Sequence, residues 1–291
     1  MVRWILVLAL TGACAAAASA ASAPSGLIVF SSSSGRDGNV QTWVMRANGG
    51  GRHAISPETS YQAEPTLSRD GRRIAFVKAG DIYVMSVNGT QVRRLTSSAS
   101  TEGAPTWSPD GRWLAYPSFR PGGSSISKMR IDGKSKTRLA SGKTLDTPAW
   151  SPDGRRLAYA GVSGQIWTMN ANGSGKHALT KTASGTGVDW APSWSPDGRR
   201  LAYESNVGTG PRDRTNEIWV IGADGSNPVR LTRNKLNDNR PVWSPDGAWL
   251  LFSSERPHAG TAHLWLMRPN GKGLHRVTAW TGEQYEPSWA R

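Results

Sequence analysis

From residue 27 onward the apolar positions come in runs of three or four, too short for helices, and the runs recur in a fixed order. The anchor of each recurrence is Trp-Ser-Pro-Asp-Gly, at Trp107–Gly111, Trp150–Gly154, Trp194–Gly198 and Trp243–Gly247, with a degenerate copy at Leu67–Gly71. Its acids, Asp70, Asp110, Asp153, Asp197 and Asp246, set a period of about 40–50 residues, which is the size of one unit in a propeller or solenoid. Within Ser-Pro-Asp-Gly, proline fixes φ at the second turn position, and serine and glycine suit the first and fourth. The chain is therefore predicted to reverse there.

The segments after each reversal decide between the architectures. A short apolar strand comes first: Ile74–Phe76, Leu114–Tyr116, Leu157–Tyr159, Leu201–Tyr203 or Leu250–Phe252. After a variable loop, a third strand alternates with period two, at Ile82–Met85, Ile166–Met169, Ile218–Ile221 and Leu264–Met267. Asn88-Gly89, Asp132-Gly133, Asn172-Gly173, Asp224-Gly225 and Asn270-Gly271 then supply the positive φ of a tight hairpin. Arg94–Thr96, Ala178–Thr180, Arg230–Thr232 and Arg276–Thr278 form a fourth strand. Four antiparallel strands per unit make a propeller blade. At the N-terminus, Leu27–Phe30, Thr42–Met45 and Ala54–Ser56 read as strands two to four with no first strand, and Glu286–Trp289 resembles a first strand with nothing after it. The expected fold is all-β: a six-bladed propeller over residues 26–291, with four-stranded blades, closed by pairing the N- and C-terminal strands, which removes exposed edges.

Composition adds context. Gly 33, Pro 18 and Trp 14 in 291 residues fit short strands joined by tight turns, and one Cys excludes a disulfide framework or a thiolate metal cluster. Residues 1–25 read as a signal peptide and short linker. Arg3 precedes the apolar run 4–10, small residues come after it, and Ala18-Ser19-Ala20 is a candidate cleavage site. A second reading of the same leader lipidates Cys14. Either way the protein is expected to be exported, periplasmic or extracellular, so nucleic acid is not an expected partner despite a net charge of +14.

The Trp-Ser-Pro-Asp-Gly-x-x-Leu-Ala-Tyr run, with a following Ile-Trp-x-Met, resembles the PD40, or WD40-like, repeats of the TolB-like β-propeller family. The resemblance covers nearly everything after residue 26, and no counterpart of the α/β domain that precedes the propeller in that family is expected before Leu27. It implies a non-catalytic binding module in the cell envelope, working through protein contacts. Motifs for a serine nucleophile elbow, a P-loop or a zincin helix are missing. The competing reading is a glycan lyase or hydrolase with its site in the channel. His258 and His263 flank a loop and are its candidate metal ligands.

Each unit also places an acid just before its first strand: Glu64, Glu102, Asp146, Asp189, Asp238 and Glu286. If these converge at the channel mouth, they form a ring that would hold Ca²⁺ or a basic peptide; otherwise each caps a local turn. Trp107, Trp150, Trp194, Trp243 and Trp289 share one repeat position, and Trp43, Trp167, Trp219 and Trp265 another, as expected of packing between blades. Trp190 and Trp280 stand outside both sets and are candidates for partner contact, as are Arg212 and Arg214 in the longest insertion. Arginines after the first turn and lysines after the hairpin turn gather on the face opposite the acids, a surface suited to anionic wall polymer or lipid. A monomer is expected.

Overall fold

The computed structural model describes residues 23–33, 39–57, 61–181, 187–207, 215–256 and 261–291. The chain begins with β1 (Leu27–Ser33), β2 (Val40–Arg46) and β3 (His53–Ala54). Blade 2 is β4 (Ala63–Leu67), β5 (Arg73–Lys78), β6 (Asp81–Ser86) and β7 (Arg93–Arg94). Blade 3 holds β8 (Thr101–Glu102), β9 (Thr106–Trp107), β10 (Trp113–Arg120), β11 (Gly123–Arg130) and β12 (Thr137–Gly142). Blade 4 is β13 (Asp146–Trp150), β14 (Arg156–Ala160), β15 (Ile166–Asn170) and β16 (His177–Ala178). Blade 5 comprises β17 (Asp189–Trp194), β18 (Arg200–Ser205), β19 (Glu217–Gly222) and β20 (Val229–Arg230). Blade 6 comprises β21 (Asp238–Trp243), β22 (Leu250–Ser254), β23 (His263–Met267) and β24 (His275–Arg276), after which β25 (Glu283–Ala290) ends the chain.

β25 completes blade 1, in the order β25-β1-β2-β3, with Ile28 opposite Trp289 and Leu27 opposite Ala290. The inner strand β25 lies against both β21 and β4, so the ring of six blades is sealed by the two ends of the chain. Among the described residues the only helical element is a 3₁₀ turn at Val162–Gly164, and no helix is long and apolar enough to cross a membrane.

Apolar side chains meet between blades. Ile28 and Phe30 of blade 1 pack on Trp249, Leu251 and Leu264 of blade 6, for example, and five similar clusters fill the other interfaces. Burying each such side chain stabilises by about 1.5–3 kcal/mol, so the wedges dominate the fold's stability.

The first turn is fixed by side chains. In blade 5, Ser195 Oγ donates to Asp197 Oδ1 at 2.5 Å and accepts from the Arg200 amide at 2.9 Å, while Asp197 Oδ1 accepts from the Arg199 amide at 3.0 Å. Gly198 takes φ +69°, where a side chain would be strained. The same serine-to-aspartate bond recurs at Ser68, Ser108, Ser151 and Ser244. Neighbouring blades are tied across this turn: Arg73 covers Trp107, Arg156 covers Trp194 and Arg200 covers Trp243, at 4.7–4.8 Å from each ring.

The outer strands are mostly two residues long, and a hydroxyl holds the chain just after them. Thr96, Thr180, Thr232 and Thr278 accept, through Oγ1, from the amides of Ile82, Ile166, Ile218 and Leu264 at 2.8–3.0 Å. The threonine that ends each fourth-strand motif is therefore a pin. His53, His177 and His275 are exposed and bond locally through Nδ1 to the carbonyls of Gly51, Gly175 and Gly273.

Candidate functional site at the channel mouth

Every inner strand is interrupted at a residue followed by proline. Glu64, Ala104, Thr147, Ala191, Arg240 and Glu286 all have positive φ, between 29° and 54°. The ladder slips at the same place, between Ala63 and Thr66, Asp146 and Ala149, Trp190 and Ser193, and Asn239 and Val242. Non-glycine residues pay for this conformation, and proline disfavours the alternative helical one. The bulge brings these six residues to the wall of the central channel, a cavity of about 290 Å³.

Side chains at this position reach the backbone of the next blade. Glu286 Oε2 accepts from the Glu64 amide at 2.7 Å, Glu64 Oε2 from the Ala104 amide at 2.5 Å, and Thr147 Oγ1 from the Ala191 amide at 3.2 Å. Arg240 crosses the mouth: its Nη2 lies 3.3 Å from Glu64 Oε1 and 3.9 Å from Glu286 Oε1, and its amide donates to Glu204 Oε2 at 2.6 Å. Asp146 feels the field of both Arg240 and Glu64. Four carboxylates thus surround one guanidinium.

Burial dominates the titration of Asp146, Glu204 and Glu286. It pushes Asp146 up to about 6, against the pull of the Thr147 amide and Arg240. It likewise raises Glu204 and Glu286 above the usual carboxylate range, although Arg240 opposes it in both. Burial works against the charge on Arg240 too, but Glu286, Glu64, Glu204 and Asp146 outweigh it, so the guanidinium is held protonated.

The expected ring of six equivalent acids is corrected by this geometry. Glu64 and Glu286 occupy the bulge position, Asp146 sits one residue earlier, and Glu102, Asp189 and Asp238 two residues earlier. The last three are buried in bonds of their own. Glu102 Oε1 accepts from Ser98 and Ser100, Asp189 from Thr180, and Asp238 from Asn234 and Arg256. Their counterparts elsewhere are Gln62, Leu145 and Gln284, so no charge is required there. Side chains alternate along a strand and a bulge shifts their phase, so acids one to three residues from a proline face different surroundings. Among the described residues no group of three or more His, Cys, Asp or Glu is placed to hold a metal ion. Arg240, with Glu204 opposite it, supplies the cation that the carboxylates need, and neither residue stood out in the sequence.

The aromatic candidates divide. Trp190 lies in β17, half-buried and opposite Glu204, rather than in a connection. Trp280 packs on Phe30 and Trp43, with ring centroids 6.0 and 6.4 Å away, beneath the Arg52 guanidinium; it fills a wedge. Arg212, Arg214, His258 and Cys14 lie outside the described residues. His263 is buried at the start of β23, with Nδ1 2.7 Å from Gln284 Oε1.

At the opposite end, Trp107, Trp150, Trp194, Trp243 and Trp289 line a second cavity of about 210 Å³. Arg69, which replaces the turn proline in blade 2, reaches across it to the Pro152 carbonyl at 3.2 Å. The channel therefore has a polar, charged mouth and an aromatic, basic one.

A sealed disc of six four-stranded blades with a charged channel mouth defines the class: a six-bladed β-propeller. The model for the TolB beta propeller domain, PD40, matches residues 78–185 and 147–291, and the chain belongs to that family. The Tol-Pal system protein TolB of Desulfosudis oleivorans is 35% identical over 77 residues, 26% of this chain and 17% of that protein. An uncharacterized protein of Agrobacterium fabrum is 33% identical over 69 residues, 24% of this chain and 23% of that one. The chain thus matches less than a quarter of the length of either curated relative. Among solved structures, TolB from Acinetobacter baumannii aligns with TM-score 0.79 at 20% identity, over 91% of this chain and 66% of that one. An oligogalacturonate lyase in complex with manganese aligns with TM-score 0.62 at 16% identity, over 88% and 76%. At these identities the likenesses concern the fold.

Proposed function

We propose that this chain is an exported, non-catalytic binding module of the cell envelope that takes a protein partner at the channel mouth and its surrounding loops. One observation carries the reading: a strained backbone position is repeated in all six blades, yet it holds Glu64, Ala104, Thr147, Ala191, Arg240 and Glu286. Backbone strain of this kind clusters at functional sites, and here one repeated geometry presents unlike side chains to the channel. With Glu64, Asp146, Glu204 and Glu286 around Arg240 alone, the excess is negative. The favoured occupant is a basic side chain or amine of the partner, with Ca²⁺ as a competitor for the same charge. Trp190 of β17 would add contacts, and Arg212 and Arg214 of the long insertion in the sequence are proposed to do the same. Family membership and the leader both support an envelope location, and the exposed arginines Arg72, Arg112, Arg155 and Arg199 would let the other face rest on anionic polymer or lipid.

The test is capture from envelope extract on immobilised protein, comparing the native chain with Glu64→Gln/Glu286→Gln and with Arg199→Ala on the far face. The expected result is a discrete partner retained by the native chain and Arg199→Ala but lost from the double variant. Equal capture by all three would overturn the assignment to the mouth. Turnover of a glycan by the native chain would favour the lyase or hydrolase reading, which draws on the likeness to oligogalacturonate lyase.

A further inference from the structure

Blade 3 breaks the packing rule of the other five. There, an aromatic on the second strand faces an aromatic on the third: Phe30 and Trp43, Phe76 and Tyr83, Tyr159 and Trp167, Tyr203 and Trp219, Phe252 and Trp265. In blade 3, Tyr116 faces Ser127. The space an indole would fill is part of a groove of about 650 Å³, bounded by Ser98 and Ser100 at the end of blade 2.

The groove is paved by a row of residues paired across the sheet: Glu102 with Ser118, Ser118 with Ser125, and Ser125 with Ser141. That row reaches the outer edge because β12 has six residues where the other outer strands have two. At its inner end Glu102 is 3% exposed. Its Oε1 accepts from two serines, while Oε2 is buried without a partner. A buried carboxylate oxygen lacking a donor is costly and asks for a hydroxyl. At the outer end Arg120 and Arg138 are exposed on the groove's lining.

We infer that this groove is a binding site for an acidic oligosaccharide. Serine hydroxyls both donate and accept, as sugar hydroxyls do. Two guanidinium forks match carboxylates on the sugar units. An acidic peptide would satisfy the arginines but bring no hydroxyl to Glu102, which would repel it. The site shares no residue with the channel mouth and stands or falls independently of the partner proposed there.

Titration calorimetry with a mannuronate tetramer tests it, with cellotetraose as the neutral control and tetraglutamate as the acidic peptide. Ser127→Trp restores the aromatic pair of the other blades and fills the groove; Arg120→Ala/Arg138→Ala removes the forks from exposed positions without touching the core. The expected result is binding of the mannuronate tetramer in preference to both controls. Each variant should weaken it at least about tenfold, with Ser127→Trp melting no lower than the native chain. Unchanged affinity in both variants, equal binding of tetraglutamate, or no binding of the uronate by the native chain would overturn the assignment. If Ser127→Trp fails to fold, the double arginine variant decides.

Discussion

At the turn end of the disc, five blades carry the same serine and aspartate in the same hydrogen bond; at the other end, six blades share a strained backbone but carry four kinds of side chain. The first pattern is what a scaffold needs, because each turn solves the same local problem of unpaired backbone groups. The second is what a site needs, because one geometry is used to present unlike chemistry. On the proposed reading, repetition in a propeller separates the residues of the scaffold from those of the site.

The contrast can be broken first in the scaffold. Trp243→Ala empties the wedge between blades 5 and 6 and removes the surface under Arg200, and should cost about 3–5 kcal/mol in urea denaturation. At the mouth, Arg240→Met leaves four carboxylates without their cation. It should cost about 2–4 kcal/mol at pH 7.5, and the loss should shrink toward pH 5 as acids with raised pKa take up protons. A loss that does not change with pH would mean Arg240 acts only by packing.

Smaller effects sharpen the comparison. Asp197→Ala should cost about 1 kcal/mol by freeing the Ser195 hydroxyl and the Arg199 amide. The Ser195 hydroxyl bond, together with the Arg199 amide, holds Asp197 below its usual value, and serine bonds do the same for Asp70 and Asp153. Their contribution is therefore complete above the ordinary carboxylate range and is lost as the pH falls below about 4. Asp146 has the opposite sign. Its folded pKa of about 6 exceeds the ordinary value of 3.8, so the native state binds the proton more tightly and stability declines as pH rises from about 4 to 6. Asp146→Asn should flatten that decline and stabilise the protein at pH 7.5 by about 1–2 kcal/mol, read from melting curves across the pH range.

Much of the wheel was legible in the sequence because its turns and strands repeat chemically. Ser-Pro-Asp-Gly dictates a reversal by its own atoms, and the unpaired first strand at Glu286–Trp289 matched the gap before Leu27. The mouth was harder for the converse reason. Acids grouped by their likeness fall at three different strand positions, whereas the column that lines the channel emerges from the proline after each member, and its members are unlike. Arg240 and Glu204 were hidden because neither repeats. Trp280 lies in the connection between β24 and β25, and a residue outside the repeat columns can still pack against them, as it does on Phe30 and Trp43. Ser127 carried a readable signal: blade 3 alone has no aromatic in its third strand.

The division of labour between the two ends is tested most directly by photo-crosslinking in the native cell. One probe replaces Tyr61, which precedes the bulge of blade 2 and is 60% exposed; the other replaces Arg199 on the turn face. A discrete protein adduct is expected from position 61, disappearing when Arg240→Met or Glu64→Gln/Glu286→Gln is added, and none from position 199. A protein adduct formed at position 199 and insensitive to those mouth substitutions would contradict it.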